Sequence, residues 1–219
     1  MIKDNVQEVR RRIEAACLRV KRDPATVKLV AVSKNRSIEE IKEARLAGIL
    51  EFGENRVQEA LSKYDAGLSV KWHMVGHLQT NKVKEAVKIF HLIHSVDSER
   101  LAREIDKEAL NLNKIQDILL EVKISPEATK FGLKPEEVHM AIKAIQGLKN
   151  IKILGLMGIA PLVAHQEEAR QYFKILKGIR DSVDAGMILS MGMTDDFEIA
   201  IEEGSGLIRV GRAIFEGVI

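Results

Sequence analysis

The spacing of apolar residues changes once along the chain, near residue 24. Before that point, five apolar residues recur at three- and four-residue steps, as one face of a helix requires: Val6, Val9, Ile13, Ala16 and Val20. The pair Asp23-Pro24 ends this pattern. Beyond it, short apolar runs alternate with amphipathic stretches up to the C-terminus, which is typical of repeated strand–helix units.

Eight apolar runs predict eight strands, at 27–33, 49–54, 70–76, 90–96, 115–124, 151–159, 187–193 and 206–211. Helices are predicted between them at 37–48, with a Ser37/Glu40 capping box, then at 56–62, 81–88, 98–111, from 135, at 166–181 and from 194 or 195. Runs of this kind are typical of parallel strands that are covered on both faces. The pattern predicts one (β/α)8 TIM-barrel domain over residues 1–219, with an extra N-terminal helix. A doubly wound open sheet is the alternative, although it usually has fewer strands.

The composition argues against several classes of partner. Lys and Arg number 34 against 32 Asp and Glu, a formal charge of +2, so we expect neither nucleic-acid nor membrane binding. The N-terminus carries charges where a signal peptide needs an apolar stretch, and Cys17 is the only cysteine. His73 and His77 lack metal-ligand spacing, because Gly76 and strand character intervene. We expect a soluble, cytoplasmic, metal-free protein, and a monomer, since no helix shows sustained heptads.

Lys34 ends the first predicted strand, "LVAVSK", and is the first candidate for chemistry. Active sites of TIM barrels lie at the C-terminal ends of the strands. An amine screened from water at such an end has a lowered pKa and becomes a nucleophile. The alternative is a lysine that points into solvent.

The ends of the last two predicted strands have the residues of a phosphate site. Ser190 offers a hydroxyl, and Gly192 and Gly211 allow backbone N–H groups to approach an anion near helix N-termini. Ordinary turn glycines and a capping serine are the alternative explanation.

Arg209 lies inside the apolar run "GLIRVG", where a guanidinium needs a partner. A salt bridge to Glu51 or Glu121 would satisfy it, and so would an acceptor on a ligand. An amine, a phosphate site and a buried arginine together indicate a phosphorylated ligand that carries an aldehyde.

Several blocks of the chain carry a family resemblance. They are "AVSK" (31–34), "FGENRVQEA" (52–60), "WHMVGHLQTNKVK" (72–84), "IHSVDSERLA" (93–102), "GLMGIAP" (155–161), "LSMGMTDDFEIAIEEGS" (189–205) and "IRVGRAIFEG" (208–217). With these blocks in this order, the chain resembles the YggS/PROSC family of pyridoxal phosphate homeostasis proteins over essentially its whole length. The family's barrel is similar to the N-terminal domain of alanine racemase.

The resemblance implies a site for pyridoxal 5′-phosphate (PLP). Lys34 would form the Schiff base, and Arg209 would face the pyridine nitrogen. Ser190 and the backbone at Gly211 and Arg212 would take the phosphate. The ring pocket would be lined by Asn55, His77 and Met157. The chain departs from the family pattern at Asn35, Arg36, Lys123 and Gly158, and Arg212 replaces a frequent threonine.

The function that this resemblance implies is PLP binding and PLP homeostasis, with PLP-dependent enzymes as recipients, and without strong turnover. An arginine cannot protonate the pyridine nitrogen, which weakens the electron sink of the cofactor. The chain ends at Ile219 and has only Tyr64 and Tyr172, both in helical stretches, so we expect no tyrosine base of the racemase type. The alternatives are a weak amino-acid racemase and a Schiff-base aldolase that acts on a sugar phosphate.

Overall fold

The computed structural model describes residues 1–64, 67–127 and 130–217, and a closed barrel of eight parallel strands in sequence order forms its centre. The strands are β1 (Lys28–Val32), β2 (Glu51–Glu54), β3 (Lys71–Met74), β4 (Leu92–Val96), β5 (Gln116–Val122), β6 (Ile151–Gly158), β7 (Ile188–Ser190) and β8 (Leu207–Val210). β8 pairs with β1 from Leu207 opposite Lys28 onward, which closes the ring. The predicted TIM barrel is confirmed, and the open sheet is wrong. The predicted domain end at Ile219 lies outside the described residues.

Helices surround the barrel. They are α1 (Ile2–Arg19), α2 (Ile38–Leu46), α3 (Val57–Tyr64), α4 (Val83–Ile89), α5 (Glu99–Asn111), α6 (Val138–Ile145), α7 (Arg170–Val183), α8 (Phe197–Glu202) and α9 (Arg212–Phe215). The capping box of Ser37 and Glu40 is present at the start of α2, as predicted. No helix in the described part of the chain is long and apolar enough to cross a membrane.

The extra N-terminal helix, α1, packs against α8, α9 and α2. Its buried face contains the predicted apolar stripe as far as Ala16, whereas Val20 lies beyond the helix end and is 41% exposed. The helix therefore covers the seam where the last strand–helix units meet the first.

The barrel interior contains a small apolar cluster, distinct from the larger layer between strands and helices. The interior cluster consists of Val30, Leu92, Leu119, Met157 and Leu207. Because side chains alternate between the faces of a strand, β8 directs Arg209 to the same side as Leu207. The barrel therefore places a guanidinium within its own interior, close to the C-terminal ends of the strands.

Candidate functional site

A cavity of about 350 Å³ lies at the C-terminal ends of the strands, and it brings together four of the predicted site residues. These are Lys34, Asn55, His77 and Arg209. The rest of the lining is Val32, Val75, Gly76, Glu121, Val122, Lys123, Ile124, Ser125, Lys130, Phe131, Ile159 and Met193. The other four predicted residues, Met157, Ser190, Gly211 and Arg212, are not among the lining residues.

Lys34 lies in a turn just beyond β1, and its side chain is exposed. The Arg36 N–H donates to the Ser33 carbonyl at 3.1 Å, and Asn35 has a positive φ of 59°. A positive φ at the third residue is typical of a type II turn, and asparagine tolerates it better than most residues. We expected the end of β1 to screen the amine from water. It does not, because the Lys34 side chain is exposed at the cavity.

Arg209 is 4% exposed and forms no salt bridge with a described carboxylate. It donates instead to Ser190 Oγ at 2.6 Å and to the Gly158 carbonyl at 3.2 Å. Burial lowers its pKa to about 10, although Asp196 and Glu121 act in the opposite direction. The guanidinium is therefore charged at neutral pH and lines the cavity without a carboxylate partner, so direct pairing with Glu51 or Glu121 is not its explanation.

A chain of polar side chains runs from Arg209 down the barrel interior. Ser190 Oγ lies 2.9 Å from His94 Nδ1, and His94 Nε2 lies 2.9 Å from His73 Nδ1. His73 Nε2 lies 3.5 Å from Glu51 Oε2, near the opposite end of the strands. We call Arg209, Ser190, His94, His73 and Glu51 the axial chain. Sequence reasoning missed it because the two histidines stand on different strands with no regular spacing.

The protonation of the axial chain follows from its chemistry. Burial lowers the pKa of His73 to about 3 and that of His94 well below its usual value, so both rings are neutral at pH 7. Arginine has only donors, so Ser190 Oγ accepts from Arg209, and the direction of its hydrogen bond with His94 Nδ1 depends on the histidine tautomer. The direction of the bond between His94 Nε2 and His73 Nδ1 depends on the tautomer as well, and His73 Nε2 and Glu51 Oε2 have no hydrogen-bond partner among the described residues. Between Arg209 and Glu51, the axial chain therefore consists of a hydroxyl and two neutral rings at pH 7.

In this structure Ser190 Oγ is hydrogen-bonded to two protein side chains, Arg209 and His94. Its side chain is fully buried, and β7 ends at Ser190 and not at residue 193 as predicted. Gly192 follows with a φ of +93°, and a Cβ there would lie 2.5 Å from Ala200 Cβ. The positive φ and close packing against α8 explain this glycine without an anion.

Thr194 provides a second hydroxyl near the ends of these strands, which sequence reasoning did not single out. It lies in the loop after β7 and is 7% exposed, and its Oγ1 lies 3.5 Å from the Ala213 N–H at the start of α9. Gly211 is the residue before α9, and a Cβ there would lie 3.2 Å from the Val32 carbonyl. The Arg212 side chain is turned outward and pairs with Asp195. The loops after β7 and β8 thus meet at Thr194 and the first backbone groups of α9, which have no partner within the helix.

Two further parts of the lining are chemically distinctive. Glu121 is 8% exposed, and burial together with the charge of Asp97 raises its pKa to about 7, although Arg209 opposes the shift. His77 Nδ1 lies 3.3 Å from Asp97 Oδ2, and the His77 ring stacks on Phe131 with centroids 3.7 Å apart. Among the described residues, no group of three or more His, Cys, Asp or Glu is arranged to hold a metal ion.

Known proteins are similar to this chain over nearly its whole length. The family model of the alanine racemase N-terminal domain matches residues 1–217. The pyridoxal phosphate homeostasis protein of Aquifex aeolicus is 42% identical over 219 positions, which cover 97% of this chain and 96% of that protein. The protein of the same name from Pseudomonas aeruginosa is 37% identical, over 98% of this chain and 94% of that one.

A solved structure is also similar along its full length. The structure of PipY from Synechococcus elongatus with PLP bound is 33% identical, with a TM-score of 0.83, and the match covers 98% of this chain and all of that one (100%). This chain therefore belongs to the family of pyridoxal phosphate homeostasis proteins, which is built on the barrel of the alanine racemase N-terminal domain.

Proposed function

We propose that this protein binds PLP through a Schiff base on Lys34 and takes part in intracellular PLP homeostasis without strong catalytic turnover. One observation carries the proposal: the amine of Lys34 and the charged, carboxylate-free guanidinium of Arg209 line one cavity of about 350 Å³. Relatives named for PLP homeostasis and a PLP-bound relative support it.

The lining residues fit the chemical groups of PLP. Lys34 is an exposed amine for the aldehyde, and Arg209 offers donors to a ring nitrogen that keeps its lone pair. Asn55 and His77 would flank the ring. Met157 belongs to the interior apolar cluster and would support the floor of the pocket without direct contact.

The phosphate fits best where the loops after β7 and β8 meet. The Thr194 hydroxyl and the backbone of Gly211 and Arg212 lie together there, with Thr194 Oγ1 next to the Ala213 N–H. Ser190, whose hydroxyl already bonds Arg209 and His94, would orient the arginine and would not contact the phosphate.

Weak turnover is consistent with the axial chain. PLP supplies an electron sink that is strongest when its ring nitrogen is protonated. Arg209 stays charged at neutral pH and would donate hydrogen bonds to the ring nitrogen without transferring a proton, and the two histidines of the axial chain are neutral. Neither Tyr64 nor Tyr172 lines the cavity, so no tyrosine base of the racemase type is present among the described residues.

A second candidate function is a PLP-dependent enzyme with weak activity, such as an amino-acid racemase. Glu121 favours it, because a buried carboxyl whose pKa is raised to about 7 lines the cavity and can exchange a proton near neutral pH.

The proposal also covers the extent of the domain, its localisation, its oligomeric state and its partners. We propose that residues 1–219 act as one PLP-binding domain in the cytoplasm, as a monomer, with PLP-dependent enzymes as recipients. The formal charge of +2 supports a role that involves neither nucleic acid nor membrane.

The experiment is an absorbance spectrum of the purified protein, with and without added PLP, before and after borohydride, beside Lys34→Ala. We expect a yellow band that borohydride bleaches, with the reduced cofactor fixed to Lys34, and no such adduct in the variant. A protein that stays colourless with added PLP would contradict both candidates and favour the aldolase alternative. Racemisation by the loaded protein that is lost in Glu121→Gln would favour the second candidate.

A further inference from the structure

The turn that carries Lys34 rests on a buried lysine. Lys63 lies on α3, and its side chain is only 6% exposed. The helix predicted from the sequence ended at residue 62, one residue before it. Its Nζ donates to the Ser33 carbonyl at 2.6 Å and to Glu54 Oε1 and Glu59 Oε1 at 2.7 Å each. An ammonium has three donors, so all of them are used within the protein. We call Glu54, Glu59 and Lys63 the clamp.

The two carboxylates of the clamp hold the same turn at further points. Ser33 Oγ donates to Glu54 Oε1 at 2.6 Å, and the Asn35 backbone N–H donates to Glu59 Oε1. The clamp therefore holds the residue before Lys34 and the residue after it. Lys34 itself has no hydrogen bond or ion pair with a described residue, so its amine stays free to react.

The clamp is a poor source of stability. Burial raises the pKa of Glu54 although Lys63 and Ser33 bond its carboxylate, and its Oε2 has no partner among the described residues. Buried ion pairs are often no more stabilising than apolar residues of similar volume, because desolvation offsets their attraction. The clamp instead fixes the shape of the turn. Its hydrogen bonds are to the Ser33 carbonyl, the Ser33 hydroxyl and the Asn35 backbone N–H.

We propose that the clamp is a positioning device that fixes the turn 33–36, so that the Lys34 amine enters the cavity in one orientation and reacts readily with an aldehyde. The proposal rests on the Schiff-base function of Lys34. Lys63 contacts only protein atoms and acts through the turn. Loss of the clamp should therefore weaken the covalent step and leave recognition of the ring and phosphate intact.

The test compares two ligands in Lys63→Met and Glu59→Ala. PLP carries the aldehyde, whereas 4′-deoxypyridoxine 5′-phosphate has the same ring and phosphate without it. We expect each variant to weaken PLP binding, by about tenfold in Lys63→Met, while binding of the aldehyde-free compound changes by less than about twofold. Borohydride trapping at Lys34 should slow to match. Glu59 is partly exposed, at 22%, so its variant keeps the test open if Lys63→Met does not fold.

The matched control is Glu99→Ala, which removes an exposed i,i+4 ion pair with Arg103 on α5 and should leave both affinities unchanged. Parallel weakening of both ligands, or no change in a folded variant, would overturn the proposal. Failure of the Schiff-base function itself would appear separately, as a wild-type protein that borohydride does not label at Lys34.

Discussion

Two of the cations that line the cavity, Lys34 and Arg209, are supported in opposite ways. Beneath Lys34, the clamp is charged and bonds the backbone on either side of the lysine, and it leaves the amine free. Beneath Arg209, the axial chain passes through neutral groups, and it bonds the guanidinium itself through Ser190.

The difference follows from what each cation has to do. An amine that forms a covalent bond must keep its lone pair accessible, so its position has to be set through the main chain. A guanidinium that recognises an acceptor must keep its charge unneutralised, and a hydroxyl can orient it where a carboxylate would compete with the ligand. In the proposed function, the charged clamp would support the covalent contact of Lys34, and the neutral groups would support the ring contact of Arg209.

The neutrality of His73 and His94 in the axial chain predicts the largest effect, a loss of stability in mild acid. His73 has a pKa of about 3 in the folded protein against 6.5 unfolded, so its stabilising contribution is complete above pH 6.5 and is lost as the pH falls towards 3. Between pH 6.5 and pH 3, the free energy of unfolding falls by about 1.4 kcal/mol for each pH unit. The loss at pH 5 is therefore about 2 kcal/mol. Urea unfolding of wild type and His73→Gln at pH 7 and pH 5 measures this loss of stability.

His73→Gln should show a smaller loss between the two pH values, because only His94 then remains to be protonated inside the barrel. The groups around His73 are His94, Glu51, His91, Lys28 and Lys71. His139→Gln, at an exposed position, should keep the full wild-type slope. Equal losses of stability between pH 7 and pH 5 in wild type and His73→Gln would mean that the fold does not hold His73 neutral.

Removal of the axial cation should give the next largest effect. In Arg209→Gln we expect binding of both PLP and 4′-deoxypyridoxine 5′-phosphate to weaken by about tenfold, because the charge-assisted contact is made to the ring and not to the aldehyde. This pattern differs from the one expected for the clamp variants, in which the affinity for PLP falls and the affinity for the aldehyde-free compound does not. Equilibrium titration with each ligand measures it, and Arg103→Gln on the surface of α5 is the control. Selective weakening of PLP alone would remove the distinction between the two supports.

The barrel could be predicted because its signal is local and repeated. Apolar runs that alternate with amphipathic helices identify eight strand–helix units, and Lys34 follows from its place after the first of them. Strand ends are less certain, since Met191 and Met193 continue the apolar run past Ser190 although the strand does not. The sequence alone therefore does not show which hydroxyl, that of Ser190 or that of Thr194, lies beyond the end of the strand.

The supports of the two cations could not be predicted, because they depend on pairings between distant elements. Nothing in the sequence indicates that His73 and His94 face each other across the barrel interior. Lys63 looks like an ordinary surface lysine at the end of a short helix, and only the packing of α3 against the turn after β1 buries it. Such contacts follow from barrel closure and strand register, which hydrophobic periodicity does not encode at single-residue precision.

The smallest predicted effect separates the turn's own conformation from the clamp. Asn35 has a φ of +59°, so Asn35→Ala should lower the free energy of unfolding by about 1 kcal/mol, whereas Asn35→Gly should change it by only a few tenths. Both variants keep the backbone N–H that Glu59 accepts, and so keep the clamp. Their PLP affinities should therefore stay within about twofold of wild type, as measured by urea unfolding and PLP titration side by side. A tenfold loss of PLP binding in Asn35→Ala would mean that the turn positions Lys34 by its own geometry, with the clamp as a consequence of it.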